Sequence, residues 1–229
     1  MSLAASIRVV VAPPHRAGWP FIGIGAAVAV IGLFLSPVLV GFGVAFAAFC
    51  LYFFRDPERI TPTRPGLLVA PADGHVTMID MAVPPTELGL DGTPRWRVAI
   101  FLSVLDVHIN RAPCDGVVTR IAYRHGKFLN ASLDKASTDN ERNALAMQLP
   151  GGQDIAVVQI AGLIARRILC FASQGETLRA GERFGLIRFG SRTDLYLPHG
   201  VEPLVSLGQT MIGGETVIAS FAEAAIAAA

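Results

Sequence analysis

Between Ala17 and Phe54 the chain carries no charged residue for 38 positions. One helical membrane span needs about 20 apolar residues, so the run is long for one crossing and sufficient for two. Ser36–Pro37 divides it into pieces of 20 and 18 residues. Proline ends or kinks a helix, and the residue before it avoids helical dihedrals, so a helical hairpin is expected. Gly23, Gly25, Gly32, Gly41 and Gly43 would let its two helices approach closely. Arg8 and Arg16 precede the run, and Arg55 and Arg59 follow it. Cationic flanks stay on the cytoplasmic side, which places both ends of the hairpin there. A cleaved signal peptide fits poorly, because the run is too long and lacks a polar cleavage region. The alternatives are a monotopic insertion and a buried hairpin within a soluble protein.

Composition narrows the remaining classes. The 229 residues are 52% hydrophobic and 16% charged, with 19 basic against 18 acidic side chains and a net charge of +1. An average soluble domain is about 25% charged. A disordered chain, a basic nucleic-acid binder and an acidic tail protein are excluded. Lys127 and Lys135 are the only lysines, so a lysine-tethered cofactor has two possible homes. Cys50, Cys114 and Cys170 are too few and too widely spaced for a disulfide framework or a zinc knuckle. They read as small buried hydrophobes.

From Arg55 onward Pro and Gly become frequent and apolar runs shorten. Residues 95–103, 116–124, 154–162, 185–190 and 215–221 read as strands, separated by turn signals such as PADG, PCDG and PGGQD. Residues 130–147 are polar and read as a loop or short helix, and the alanine-rich end as a frayed tail. The fold class expected is mainly β (α+β): a barrel-sandwich-like β domain over 55–229, preceded by residues 1–54 with a hydrophobic helical hairpin at about 17–54.

Few residues are equipped for chemistry. His15, His125 and His199 lack a catalytic context, and His75 opens a strand. His108 follows an apolar strand and has Ser103, Asp106, Asn110, Arg111 and Asp115 around it. It is either functional or a histidine satisfied by hydrogen bonds at a strand end. No HExxH, H-x-H, CxxC, P-loop or GxSxG pattern occurs, so no metal site is expected. Gly190–Ser191 lies between an apolar strand and TDLYLP. Glycine before serine removes the Cβ that would crowd attack on the glycine carbonyl, and a base could activate the serine against its own preceding peptide bond.

Four segments occur in order: FFRDPER (53–59), PADGHV (71–76), DVHINRAPCDG (106–116) and RFGSRTDLYLP (188–198). Together they resemble the phosphatidylserine decarboxylase family in its compact form, over about Phe53 to Ser220. The resemblance implies a proenzyme that cuts itself at Gly190–Ser191 into a β chain, 1–190, and an α chain, 191–229. Ser191 would become an N-terminal pyruvoyl group, with no metal and no pyridoxal phosphate. Asp73 and His108 would complete a serine-protease-like triad with Ser191. Longer members carry two histidines three residues apart in the middle motif. Here the second place holds Arg111, which cannot act as a base near neutral pH but could bind the substrate's phosphate or carboxylate; should His108 not be the base, His75 is the other candidate. The implied reaction is decarboxylation of phosphatidylserine to phosphatidylethanolamine and CO2 at the cell membrane. The catalytic domain would lie on the cytoplasmic side, and the partners would be the lipid, the membrane and the second chain of an αβ unit, with no nucleic acid.

Three other readings compete. A membrane-anchored barrel-sandwich adaptor without activity would show a long heptad-patterned hairpin, which is missing. A group carrier would need a lysine within QGETLRAGERFGLIRFG, and there is none. A zinc peptidase would need H-x-H.

Overall fold

A computed structural model describes residues 12–126, 140–162, 167–188 and 191–221. Contacts divide the chain into two units, Met1–Glu58 and Arg59–Ala229. The expected tail at 222–229 and the start of the expected 130–147 segment lie outside the described residues.

The first unit is a helical hairpin. A 3-10 turn, Arg16–Gly18, capped by the His15 ring, leads into α1 (Trp19–Leu35); α2 follows as Pro37–Phe53. Ser36 breaks the two apart in an extended conformation (φ −168°), and its hydroxyl accepts from the Val38 amide. Pro37 starts α2 where its missing N–H costs nothing. The hairpin's ends meet: Pro14 bridges Arg55, and the His15 amide donates to the Phe54 carbonyl at 2.7 Å. Close approach uses only part of the expected glycine set. A Cβ on Gly43 would stand 2.4 Å from the Ala29 amide nitrogen, and one on Gly25 2.8 Å from that of Ala47. Gly32 is equally confined, whereas Gly23 and Gly41 face away from the partner helix. The outer surface is apolar throughout, with Leu33, Phe34, Leu35 and Val38 each more than 70% exposed at the bend. The Arg16–Leu35 stretch is long and apolar enough to cross a membrane by length and composition.

The second unit is mostly β. Its main sheet has eight antiparallel strands in the order β12-β2-β3-β11-β7-β6-β5-β9 and curls into a half-barrel. The strands are β2 (Gly74–Ala82), β3 (Arg95–Leu102), β5 (Gly116–Arg124), β6 (Arg142–Gln148), β7 (Asp154–Ala161), β9 (Thr177–Leu178), β11 (Ser191–Tyr196) and β12 (Thr210–Met211). A second sheet joins β4 (Ile109–Arg111), β10 (Arg183–Ile187) and β8 (Ile168–Cys170), and a third pairs β1 (Leu67–Val69) with β13 (Val217–Ser220). Alternation sends Val98, Ile100 and Leu102 of β3, Leu195 of β11, Ile155 and Val157 of β7, and Leu145 and Met147 of β6 into one core.

One strand departs from the sequence expectation. Residues 142–148, expected as loop or helix, form β6, and its alanines pack against β7 and Leu88. The polar stretch SRTDLY forms β11, a central strand buried on both faces. Its outer face holds Arg192 and Asp194, both fully buried and joined by two hydrogen bonds of 2.7 and 2.9 Å. Pairing offsets much of the cost of burying these charges, so a strand position that reads as polar is tolerated inside.

Candidate active site

Ser191 opens β11, with Leu102 of β3 opposite on one side and Ala161 of β7 on the other. It is fully buried, and its hydroxyl has no hydrogen-bond partner among the described residues. A buried hydroxyl without a partner costs free energy and needs an explanation. Gly190, the expected carbonyl side of the scissile bond, lies outside the described residues.

His108 approaches the same place from the other sheet. Its carbonyl accepts from the Ile187 amide at 3.2 Å, extending the β4–β10 ladder by one residue. Because β10 runs antiparallel to β4, going from Asn110 back to His108 means moving towards residues 188–190. Going from Thr193 back to Ser191 on β11 means moving towards them as well. Ile187 and Ser191 are four residues apart, a span of about 14 Å at most. His108 and Ser191 therefore flank one short connection.

Side chains tie the two sheets together. Asn110 donates to the Thr193 hydroxyl at 3.1 Å and accepts from Gln159 at 2.7 Å; Gln159 in turn accepts from Asn143 at 2.8 Å. All four side chains are buried. Strand periodicity puts Asn110 and His108 on one face of β4, and Thr193 and Ser191 on one face of β11. The contact at Asn110–Thr193 thus turns the faces bearing His108 and Ser191 towards each other. Gln159 and Asn143 carry no sequence signal for this role, since Gln159 reads as one polar residue within an apolar strand and Asn143 as one of many in a polar segment.

The orientation of His108 is set locally. Its Nδ1 lies 2.9 Å from the Asp106 carbonyl oxygen. A carbonyl only accepts, so Nδ1 carries the proton and the neutral ring has its lone pair on Nε2. Asp106 is itself held in a reciprocal turn, donating from its amide to the Ser103 carbonyl and accepting from the Ser103 amide at 2.7 Å.

Asp73 is placed differently from a triad acid. Among the described residues its carboxylate bonds to Arg59 at 2.7 Å and to the Gly213 amide at 2.8 Å, with no hydrogen bond to His108. Burial pushes its carboxyl above the ordinary aspartate range against the pull of Arg59 and Gly213, and the nearby Asp106 adds to the rise. Gly74 makes this corner possible: it has φ +140°, and a Cβ there would lie 2.1 Å from the Phe101 carbonyl oxygen. Arg111 is buried, and its Nη1 donates to the Gly181 carbonyl at 2.9 Å. His75 is exposed on β2 between β12 and β3. A cavity of about 760 Å³ lined by Pro62, Leu67, Cys114 and Phe221 includes neither Ser191 nor His108 among its walls.

This constellation can activate a serine: a histidine with a defined basic nitrogen and a buried, unpartnered hydroxyl converge on one connection. The family model for phosphatidylserine decarboxylase matches residues 46–219. The phosphatidylserine decarboxylase proenzyme of Granulibacter bethesdensis is 69% identical over 219 residues, covering 96% of this chain and 90% of the relative. The proenzyme of the same description from Gluconobacter oxydans is 60% identical, covering 96% and 99%. That from Ruegeria pomeroyi is 61% identical, covering 90% and 94%. With a match over most of its length and relatives at this identity, the chain belongs to the phosphatidylserine decarboxylase family.

Proposed function

We propose that this chain is a self-cleaving proenzyme that decarboxylates phosphatidylserine to phosphatidylethanolamine and CO2. The observation that carries the reading is the Ser191 hydroxyl, fully buried and without a partner among the described residues beside the connection that His108 also flanks. Family membership supplies the substrate class.

In the first stage Nε2 of His108 takes the Ser191 proton, while Nδ1–H stays on the Asp106 carbonyl. The hydroxyl oxygen attacks the Gly190 carbonyl carbon, and the peptide C–N bond breaks to leave an ester and a free Ser191 amine. Loss of the Ser191 Cα proton with cleavage of the Cβ–O bond expels Gly190 as a carboxylate. Water then converts the remaining dehydroalanine into a pyruvoyl group and ammonia. Asp73 is proposed to assist this stage in its ionised form, with its carboxylate held by Arg59 and the Gly213 amide.

A pyruvoyl carbonyl at this position supplies an electron sink for the pair left when a carboxylate departs as CO2. The buried start of β11, paired on both sides, fits such a group, because Leu102 and Ala161 hold residue 191 in register. His108 is positioned to return a proton to the substrate carbon through Nε2. The result is an αβ unit from one proenzyme.

The hairpin is proposed to insert into the cell membrane with both flanks on the cytoplasmic side. Its apolar bend, its joined ends and its flanking arginines support this. Moving a lipid's acyl chains into water would cost about 0.8 kcal/mol per CH2, so an enzyme held at the interface meets its substrate there.

The test is release of CO2 from phosphatidylserine labelled in the serine carboxyl, using purified protein in mixed micelles. Release with matching formation of phosphatidylethanolamine is expected. A fully processed protein that releases none would refute the substrate assignment.

A further inference from the structure

Among the described residues of the second unit, four large apolar side chains are more than 60% exposed: Ile60, Leu105, Leu204 and Leu207. Strand register places them relative to the reacting residue. Met211 of β12 pairs with Gly74 of β2, and Ser191 of β11 pairs with Leu102 of β3. His75 faces Phe101 in the β2–β3 ladder, so one further step sets Gly74 beside Leu102. Met211, Gly74, Leu102 and Ser191 thus form one row across four adjacent strands, about 14 Å from end to end. Leu105 lies in the turn that follows Leu102, closed by the Asp106 amide on the Ser103 carbonyl. At the far end of the row, Ile212 follows Met211 and is exposed. Arg59 and the Gly213 amide hold the same Asp73 carboxylate, and the Ile60 amide donates to Glu215 at 3.0 Å, so Ile60 and Ile212 flank one corner. Leu207 lies in the turn before β12, where the Gly208 amide donates to the Val76 carbonyl at 2.8 Å. Leu204 is three residues earlier, and residues 203–214 carry no charge.

We infer that this end of the second unit is a bilayer-contact surface, with Ile60, Leu105, Leu207 and Ile212 entering the acyl boundary of the lipid layer beside the row that holds Ser191. This rests on the decarboxylase reading above: the headgroup must reach residue 191 while its acyl chains stay in the layer, so a surface near Ser191 has to meet lipid. One exposed leucine is ordinary. Aliphatic side chains gathered from three separate segments around one row form a patch, and such patches mark protein or membrane contacts. A second copy of the chain fits this place less well. β12 offers only two residues of sheet edge, too little for strand addition, and a copy seated there would stand between the Ser191 end and the lipid. With no charge over 203–214, the contact works by apolar burial, and salt does not screen it.

The test compares wild type with Ile60→Ser, Leu207→Ser and Leu207→Met, each as the full chain. CO2 release is read on phosphatidylserine in phosphatidylcholine vesicles, and on dihexanoylphosphatidylserine kept below its micelle-forming concentration. Burying one such side chain shifts an equilibrium roughly ten- to a hundredfold, so each serine variant should raise KM on vesicles, by surface mole fraction, about tenfold or more. Kinetics on the monomeric substrate, the self-cleavage half-time and the Tm should keep their wild-type values. Leu207→Met keeps the apolar volume and should keep the vesicle KM. The difference between wild type and the serine variants should be the same at low and high salt. In a separate arm, Leu207→Trp should be quenched by phosphatidylcholine brominated on its acyl chains, beyond the quenching of Trp19 and Trp96 in wild type. Unchanged vesicle KM in both serine variants, an equal loss on both substrates, or no added quenching would overturn the inference. So would a wild-type dimer that the serine variants turn into monomers at unchanged vesicle KM, which would assign the patch to a second copy. If processed wild type releases no CO2 from either substrate, the decarboxylase reading fails, and the quenching arm still decides the surface.

Discussion

Nδ1 of His108 donates to the carbonyl oxygen of Asp106, two residues earlier, across 2.9 Å. The group that fixes the tautomer of the proposed base is thus a backbone carbonyl, and the Asp106 side chain holds that carbonyl in place through the Ser103 amide. An acidic residue serves the histidine here through its main chain.

Asp106→Ala removes the acceptor for the Ser103 amide and frees the turn. Self-cleavage of freshly made precursor should slow roughly ten- to a hundredfold, the range for one charge-assisted hydrogen bond. Asp106→Asn keeps an acceptor oxygen and should cut at close to the wild-type rate. Equal slowing in both variants would point to the negative charge instead of the turn.

Asp73 gives a pH prediction in which two observables move in opposite directions. Its folded pKa is raised above 3.8. The folded protein therefore takes up this proton before the unfolded chain does, so the group's contribution to stability is full below pH 3.8 and is lost as pH rises through the folded value. Cleavage, by contrast, uses the ionised form and slows as pH falls through that value. Asp73→Asn should remove this part of both pH dependences, measured by urea unfolding and by precursor half-time. The variant should keep the hydrogen bond from the Gly213 amide.

Thr193 accepts from Asn110 in the side-chain link between the sheets. Thr193→Val preserves the shape and removes the nearer acceptor of the Asn110 amide, which keeps only the longer bond to the Pro71 carbonyl at 3.4 Å; losing a buried hydrogen bond of this kind costs about 1–3 kcal/mol. Self-cleavage should slow more than the loss of stability accounts for, and Thr193→Ser should restore it. Matched effects on the Tm and the cleavage rate in both variants would reduce the link to packing.

The buried pair on the outer face of β11 predicts an asymmetry. Asp194→Asn leaves Arg192 buried beside a neutral partner and should destabilise the fold by about 3–5 kcal/mol in urea unfolding. Replacing both residues with apolar side chains of similar volume should recover most of that loss. Arg97, 3.7 Å from Asp194, is the charge that would limit the recovery.

The hairpin was legible because 38 uncharged residues interrupted by Ser-Pro leave little else to build. Its fine contacts were not: five glycines are present, and helical phase alone decides that Gly25, Gly32 and Gly43 face the partner. Strands with alternating or β-branched runs, such as β3 and β5, were readable from pattern. β6 was not, since RNALAMQ has helix-forming residues and lies in a segment that reads as loop or short helix, and tertiary pairing overrides that preference. Ser191 and His108 were visible from local chemistry and ordered motifs. The Asn143–Gln159–Asn110–Thr193 link was hidden because its members lie up to 83 residues apart.

The central claim is that Ser191 cuts the chain before itself and becomes the prosthetic group. An intact mass of the purified protein, with analysis of the smaller chain's N-terminus, tests it most directly alongside Ser191→Ala. The account predicts two wild-type chains meeting at Gly190/Ser191, the smaller beginning with a pyruvoyl group, and one uncut chain for the variant. A wild-type chain of 24.3 kDa that stays whole under conditions where it is active, or a cut chain beginning with an ordinary serine, would contradict it.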